Sequence, residues 1–148
     1  MNNKERGYTL LEMCLVTAVF LVLAGILYPV GMQGLQEIAL RSATQAFVGE
    51  LLRARLLALS ENAAVAVRVA QETNSYQLFS SADRSCERGS EKNLGSRVSF
   101  VQVPAREVVF HPWGTAAPAG SYTLAGSGGR MTVVVGLTGR VRFERVKP

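Results

Sequence analysis

The chain has 148 residues, 48% of them hydrophobic, and 16 Lys/Arg against 11 Asp/Glu give a formal net charge of +5. This length holds one modest domain. With one histidine and no HExxH, nucleophile-elbow, phosphate-loop or CxxC pattern, no catalytic residue, metal site or cofactor is expected. The charge is uneven: from Gly31 to Ser90 six Lys/Arg face six Asp/Glu, whereas from Glu91 to Pro148 eight face three. Such a basic half suits a solvated face or a surface that meets nucleic acid, anionic lipid or an acidic partner.

The first element is a short polar start, Met1 to Gly7, with two cations, running into Tyr8-Thr9-Leu10-Leu11-Glu12 and then an uncharged stretch of eighteen residues, Met13 to Val30. As a helix, Tyr8 to Val30 would rise about 35 Å, enough for a hydrocarbon core of about 30 Å. The cations before it would keep that end in the cytoplasm. A cleaved secretory signal fits less well, because the run is long, lacks an A-x-A exit near Val22-Leu23-Ala24 and carries a carboxylate near its start. That carboxylate, Glu12, costs on the order of 3 kcal/mol in an apolar membrane setting. It either reaches water at the headgroups or meets a cation from another chain. Cys14 lies in the apolar run and Cys86 in a polar loop far beyond it, so no disulfide between them is expected.

The segment Gly7-Tyr8-Thr9-Leu10-Leu11-Glu12, followed by an apolar run with Pro29, resembles the leader of type IV pilins and type II secretion pseudopilins. Tyr8 stands where that family usually has Phe, and Met13-Cys14 where it has an aliphatic pair. The resemblance implies a leader at 1–7, a transmembrane helix at 8–30 and a periplasmic pilin domain at 31–148. It further implies cleavage by a prepilin peptidase between Gly7 and Tyr8, N-methylation of Tyr8, and pairing of Glu12 with the N-terminal amine of a neighbouring subunit. Two buried charges that neutralise each other in register would reward one stagger of packed helices over others. The implied location is the bacterial inner membrane, single-pass, with assembly into a pilus or pseudopilus.

Pro29 removes a backbone donor and its ring meets the carbonyl of Gly25, so a helix break, as a bend or a locally melted turn, is expected around Gly25 to Gly34. Beyond it a helical stripe is traced by Leu35, Ile38, Ala39, Ser42, Ala46, Leu52, Leu56 and Leu59, with Glu37, Arg41, Glu50, Arg53 and Arg55 largely off it. Asn62 is the expected stop. Strands follow at Ala64–Val69, Ser75–Phe79, Arg97–Val103, Glu107–Phe110, Ser121–Ala125, Arg130–Val135 and Arg140–Glu144. They are parted by a turn at Gln71–Asn74, a polar loop at Ser80–Gly95 and glycine-rich connections at Gly126–Gly129 and Gly136–Gly139. The expected fold is α+β: a long N-terminal helix, membrane-spanning in its first half, packed on an antiparallel β-sheet domain of the pilin type.

Leu40–Ala43, Leu51–Ser60, Phe110–Thr115 and Val133–Arg142 resemble the soluble domain of GspH/FimT-type subunits. His111 reads as a turn residue at the edge of the core. In the last strand Arg140 and Arg142 share one face, Val141 and Phe143 point to the core, and Arg145 and Lys147 lie on a loose tail. Gly139-Arg140-Val141-Arg142 also resembles the DNA-contacting tail of FimT-type minor pilins, which makes Arg140, Arg142, Arg145 and Lys147 candidates for phosphate contacts. A charged terminal strand that discourages edge pairing explains the same residues. The expected function is that of a minor pseudopilin in a type II secretion pseudopilus for protein export. Its alternative is a type IV pilus minor pilin that binds DNA. The partners implied are other pilin or pseudopilin subunits, the prepilin peptidase and the inner membrane, with DNA in the second case.

Overall fold

The computed structural model describes residues 9–81 and 89–146, except for the side chains of residues 27–33. The chain divides into two compact units, Met1–Gly34 and Leu35–Pro148. A single helix, α1 (Leu10–Ser60), contributes to both. Thr9 opens it: the Thr9 hydroxyl accepts the Glu12 amide at 3.2 Å, and the Thr9 carbonyl accepts the amides of Glu12 and Met13 at 3.1 and 3.2 Å. Thr9 is thus the N-cap, and Thr9-Leu10-Leu11-Glu12 has capping-box spacing. The helix stops where the sequence suggests, with Asn62 in the left-handed region at φ 51° and the Glu61 amide bonded to the Leu57 carbonyl at 2.9 Å.

One expectation for the helix needs correcting, and another is narrowed. Helical backbone runs through Pro29 from Leu10 to Ser60, so of the two forms expected there a melted turn is not present. One lost donor and one ring clash cost about 3 kcal/mol and do not interrupt an element of this length. The stripe Leu35, Ile38, Ala39, Ser42, Ala46, Leu52, Leu56, Leu59 is not the buried face; all of these residues are exposed except Ala39, which is half-buried. The core side is instead Leu40, Thr44, Phe47, Leu51, Ala54 and Ala58. The polar members of that side are satisfied locally: the Thr44 hydroxyl donates to the Leu40 carbonyl at 2.8 Å. Beside them buried Glu50 lies between Lys92 at 2.5 Å and Arg53 at 3.0 Å. Ala54 and Ala58 let the helix approach the sheets closely, which larger residues there would prevent.

The strands are β1 (Val65–Ala70), β2 (Ser75–Ser80), β3 (Lys92–Asn93), β4 (Val98–Gln102), β5 (Val108–Phe110), β6 (Ala116–Ala117), β7 (Gly120–Gly126), β8 (Gly129–Val135) and β9 (Val141–Val146). The seven expected strands are present within two residues at each end. The two-residue strands β3 and β6 carry no alternation long enough to read. The expected antiparallel β-sheet domain consists of two sheets, ordered β3-β2-β1-β5-β6 and β4-β7-β8-β9. Their inner faces share one core with α1, through Val65, Val67, Leu78 and Phe110 from the first sheet and Phe100, Leu124, Val133 and Val135 from the second. Phe47 stands at its centre, edge-on to Tyr76, Phe100 and Tyr122 with ring centroids 5.1, 5.2 and 5.0 Å away.

Candidate assembly surface

In the N-terminal unit every described side chain from Thr9 to Ile26 is exposed, with Leu10 83%, Leu21 74% and Phe20 70% accessible. A helix that is apolar on all sides and uncovered by its own chain needs lipid or other helices around it. Thr17 is made compatible with such surroundings by donating back to the carbonyls of Met13 and Cys14 at 2.9 and 3.0 Å. Glu12 is exposed in the first turn, where its charge favours the positive end of the helix dipole. Cys14 is a free thiol. Among the described residues no helix is long and apolar enough to cross a membrane. The expected span 8–30 includes Tyr8 and the side chains of 27–30, outside the described residues, as are Gly7, Cys86 and Lys147.

A second exposed apolar surface follows α1 in the other unit. Leu35 and Ile38, then Leu52, Leu56 and Leu59, stand 43 to 65% accessible. Together with Ser42, Gln45 and Gly49 they repeat at alternating intervals of three and four, the seam of a helix prepared to pack against another helix.

The basic strand is only partly as expected. Arg140 and Arg142 are exposed, Arg142 opposite Val134 of β8. Glu144 shares the face of Arg142, two residues on, and interrupts the positive charge. Arg145 is not on a loose tail. It lies within β9 on the opposite face and pairs with Glu37 of α1 at 2.8 Å. Phe143 is 41% accessible and not part of the core. Its strand is the edge of the second sheet, so only one neighbouring strand covers it.

The motifs Leu51–Ser60, Phe110–Thr115 and Val133–Arg142 converge on a joint built around Arg55, a residue the sequence placed off the apolar stripe without a role. Its guanidinium donates to the Gly114 carbonyl at 3.1 Å and, more weakly, to the Thr138 carbonyl at 3.5 Å. The Ala116 amide donates to the Leu137 carbonyl at 2.9 Å. Arg55 therefore ties the helix to a turn from each sheet, and the backbone bond ties the two sheets to each other. At the rim His111 stacks on Trp113 with centroids 5.1 Å apart and rings 2° from parallel. Both Gly114 (φ 84°) and Gly139 (φ 71°) adopt conformations that favour glycine. The capping pattern at Thr9 was another readable signal, since T-x-x-E ahead of an apolar run marks a helix start.

One long helix joined to two small antiparallel sheets is the fold of minor pilins and pseudopilins. The minor pseudopilin EpsH from the type II secretion system of Vibrio cholerae superposes with TM-score 0.61 at 12% identity, over 76% of this chain and 97% of that one. The type IV minor pilin FimU of Pseudomonas aeruginosa gives 0.58 at 17%, over 71% and 92%. No curated protein matches in sequence. The family model "Type II transport protein GspH" matches residues 43–139. The chain belongs to the GspH family.

Proposed function

We propose that this chain is a minor pseudopilin, a structural subunit of a type II secretion pseudopilus. The observation that carries the reading is the start of α1, exposed and apolar on every side, in a chain of the GspH family. In this reading 8–30 is the inner-membrane anchor and the domain from residue 31 is periplasmic. The peptidase cuts between Gly7 and Tyr8, the new amine of Tyr8 is methylated, and that amine of one subunit meets Glu12 of the next. The seam from Leu35 to Leu59 then packs against neighbouring helices once the subunit leaves the bilayer.

Co-expression with a prepilin peptidase is expected to remove Met1 to Gly7 and add one methyl, read by intact mass. Glu12→Ala should leave cutting unchanged and abolish cross-linking to neighbouring subunits; an uncut chain, or an E12A variant that still assembles, overturns the assignment.

The pilus reading, with DNA held by Arg140, Arg142, Arg145 and Lys147, is supported by the exposure of Arg140 and Arg142. It is weakened by Glu144 on their strand and by Glu37 opposite Arg145. The surface pair Arg145–Glu37 is worth only about 0–1 kcal/mol, so it offsets the Arg145 charge without fixing the guanidinium. No salt-sensitive retardation of duplex DNA is expected. A log–log salt slope that falls by about 2 in the R140A/R142A double variant would favour the DNA reading instead.

A further inference from the structure

Each of the two sheets has two edges, and among the described residues three of these four are closed. The first sheet ends in β3 and β6, which have two residues each and present almost no edge backbone. In the second sheet β4 is bulged between Phe100 and Gln102. Two side chains from the β1–β2 connection cover its outer side: the Phe100 amide donates to Asn74 Oδ1 at 3.0 Å, and the Gln71 side chain donates to the Val101 carbonyl at 3.1 Å. The fourth edge, β9, is left open. Its six residues keep unbroken register with β8, from Val141 opposite Val135 to Val146 opposite Arg130.

The turn before the strand fixes which backbone groups face outward. The Gly136 amide donates to the Arg140 carbonyl at 2.9 Å, so these two residues form a bonded pair across β8 and β9. Bonded pairs recur at every second residue of an antiparallel ladder, which makes the next ones Val134 with Arg142, Thr132 with Glu144 and Arg130 with Val146. The N–H and C=O groups of Val141, Phe143 and Arg145 therefore point away from β8, into solvent. Side chains alternate along the same strand. Arg140, Arg142 and Glu144 are exposed on the outer face, while Val141, Phe143 and Arg145 lie on the side of α1, where Arg145 pairs with Glu37 and Phe143 stays 41% accessible.

We propose that β9 is a docking edge for an extended segment of a partner polypeptide, which adds a further antiparallel strand to the second sheet. That segment carries acidic residues opposite Arg142 and Arg140, a basic residue opposite Glu144 and an apolar residue opposite Phe143. Like charges on an open edge discourage pairing. Here the signs alternate, so a two-residue slip sets the partner's base against Arg142 or its acid against Glu144, and one register is favoured. A second copy of this chain also meets the charge rule, with Phe143 opposite itself and Arg142 against Glu144 twice. It fits the rest of the molecule less well, because β9 runs from the Thr138 turn beside Arg55 to Arg145 beside Glu37, antiparallel to α1. A two-fold pair would set the two helices in opposite directions. Subunits anchored in one membrane, as in the function proposed above, carry them in the same direction; the choice of occupant, though not of the edge, rests on that reading.

Full-length protein in neutral detergent micelles would be titrated with acetyl-Thr-Thr-Lys-Val-Glu-Thr-Glu-amide, whose valine meets Phe143 in the favoured register. Its controls are the charge-reversed acetyl-Thr-Thr-Glu-Val-Lys-Thr-Lys-amide and the first peptide N-methylated at its valine. The first peptide should saturate in the millimolar range and slow hydrogen exchange at the Val141, Phe143 and Arg145 amides, while those of Arg142 and Glu144, already bonded to β8, change little. The reversed peptide should bind about tenfold more weakly, with three cross-strand charge pairs turned from attraction to repulsion. Arg142→Glu, an exposed substitution, should narrow that preference to about twofold, because one of the three pairs changes sign. The N-methylated peptide, which lacks the N–H aimed at the Phe143 carbonyl, should not saturate. Equal binding of the two charge patterns, saturation by the N-methylated peptide, or protection gained at β4 and not at β9 would each overturn the site. Protection of the β9 amides that rises with protein concentration alone would overturn the choice of a different polypeptide in favour of a second copy. Cleavage after Gly7 is read separately by mass, so failure of the edge and failure of the membrane reading are distinguishable.

Discussion

Gly139→Ala is expected to destabilise the domain by about 3–5 kcal/mol, a large share of the roughly 5–15 kcal/mol that holds a domain of this size. Gly139 sits at φ 71°, and a Cβ there would stand on top of the Gly114 carbonyl oxygen and 3.1 Å from the Arg55 Nε. The obstacle on one side is backbone. It cannot rotate away, so the turn must move and the Arg55 contact to Gly114 is lost with it. Two other glycines separate the contributions. Gly95 has φ 87° but open space around it, so Gly95→Ala should show the conformational cost alone, about 1 kcal/mol. Gly136 has no positive φ, and its Cβ would meet nothing closer than 3.7 Å, so Gly136→Ala should be near neutral. Urea unfolding followed by near-ultraviolet circular dichroism would rank them, with midpoints falling in the order Gly136, Gly95, Gly139 at unchanged slope. A Gly139→Ala midpoint equal to that of Gly95→Ala would show that the joint yields without cost.

The sequence made the helix, its stop at Asn62 and seven strands readable because each rests on a local pattern: a long uncharged apolar run, an asparagine at the helix end, and alternation. It misassigned the buried face of α1. Both faces carry large apolar residues, but Thr44, Ala54 and Ala58 dilute the buried face of Leu40, Phe47 and Leu51, whereas Leu35, Ile38, Leu52, Leu56 and Leu59 make the exposed one look the more apolar. Which stripe is buried depends on how closely the sheets approach, and small residues with satisfied polar neighbours permit the closer approach. The division into two sheets was illegible for a similar reason, since alternation gives each strand an inside but does not say which strand it pairs with. Arg55 was read as a surface charge because its partners, the carbonyls of Gly114 and Thr138, lie 59 and 83 residues away in sequence. For the assembly residues the sequence offers more than the fold does: Gly7 and Tyr8 lie outside the described residues, and what speaks for Glu12 is its place in a motif.

The choice between the two faces of α1 can be tested directly. Phe47→Ala is expected to cost about 4–5 kcal/mol, from a fully buried phenylalanine and the loss of three edge-on ring contacts. Phe47 is 0% accessible, and the rings it touches come from β2, β4 and β7, so the substitution loosens the helix from both sheets at once. Phe47→Leu should keep about half of that stability, since the volume is largely retained while the aromatic geometry is lost. Leu56→Ala, on the stripe that hydropathy alone would have buried, removes a side chain that is 65% accessible and should change the midpoint by no more than about 0.5 kcal/mol. The two substitutions should trade places in the filament. Leu56→Ala, harmless to the monomer, should reduce cross-linking between subunits if the exposed seam packs against neighbouring helices. If Leu56→Ala unfolds the domain as Phe47→Ala does, the helix is buried on both faces and the seam has no surface left to offer a partner.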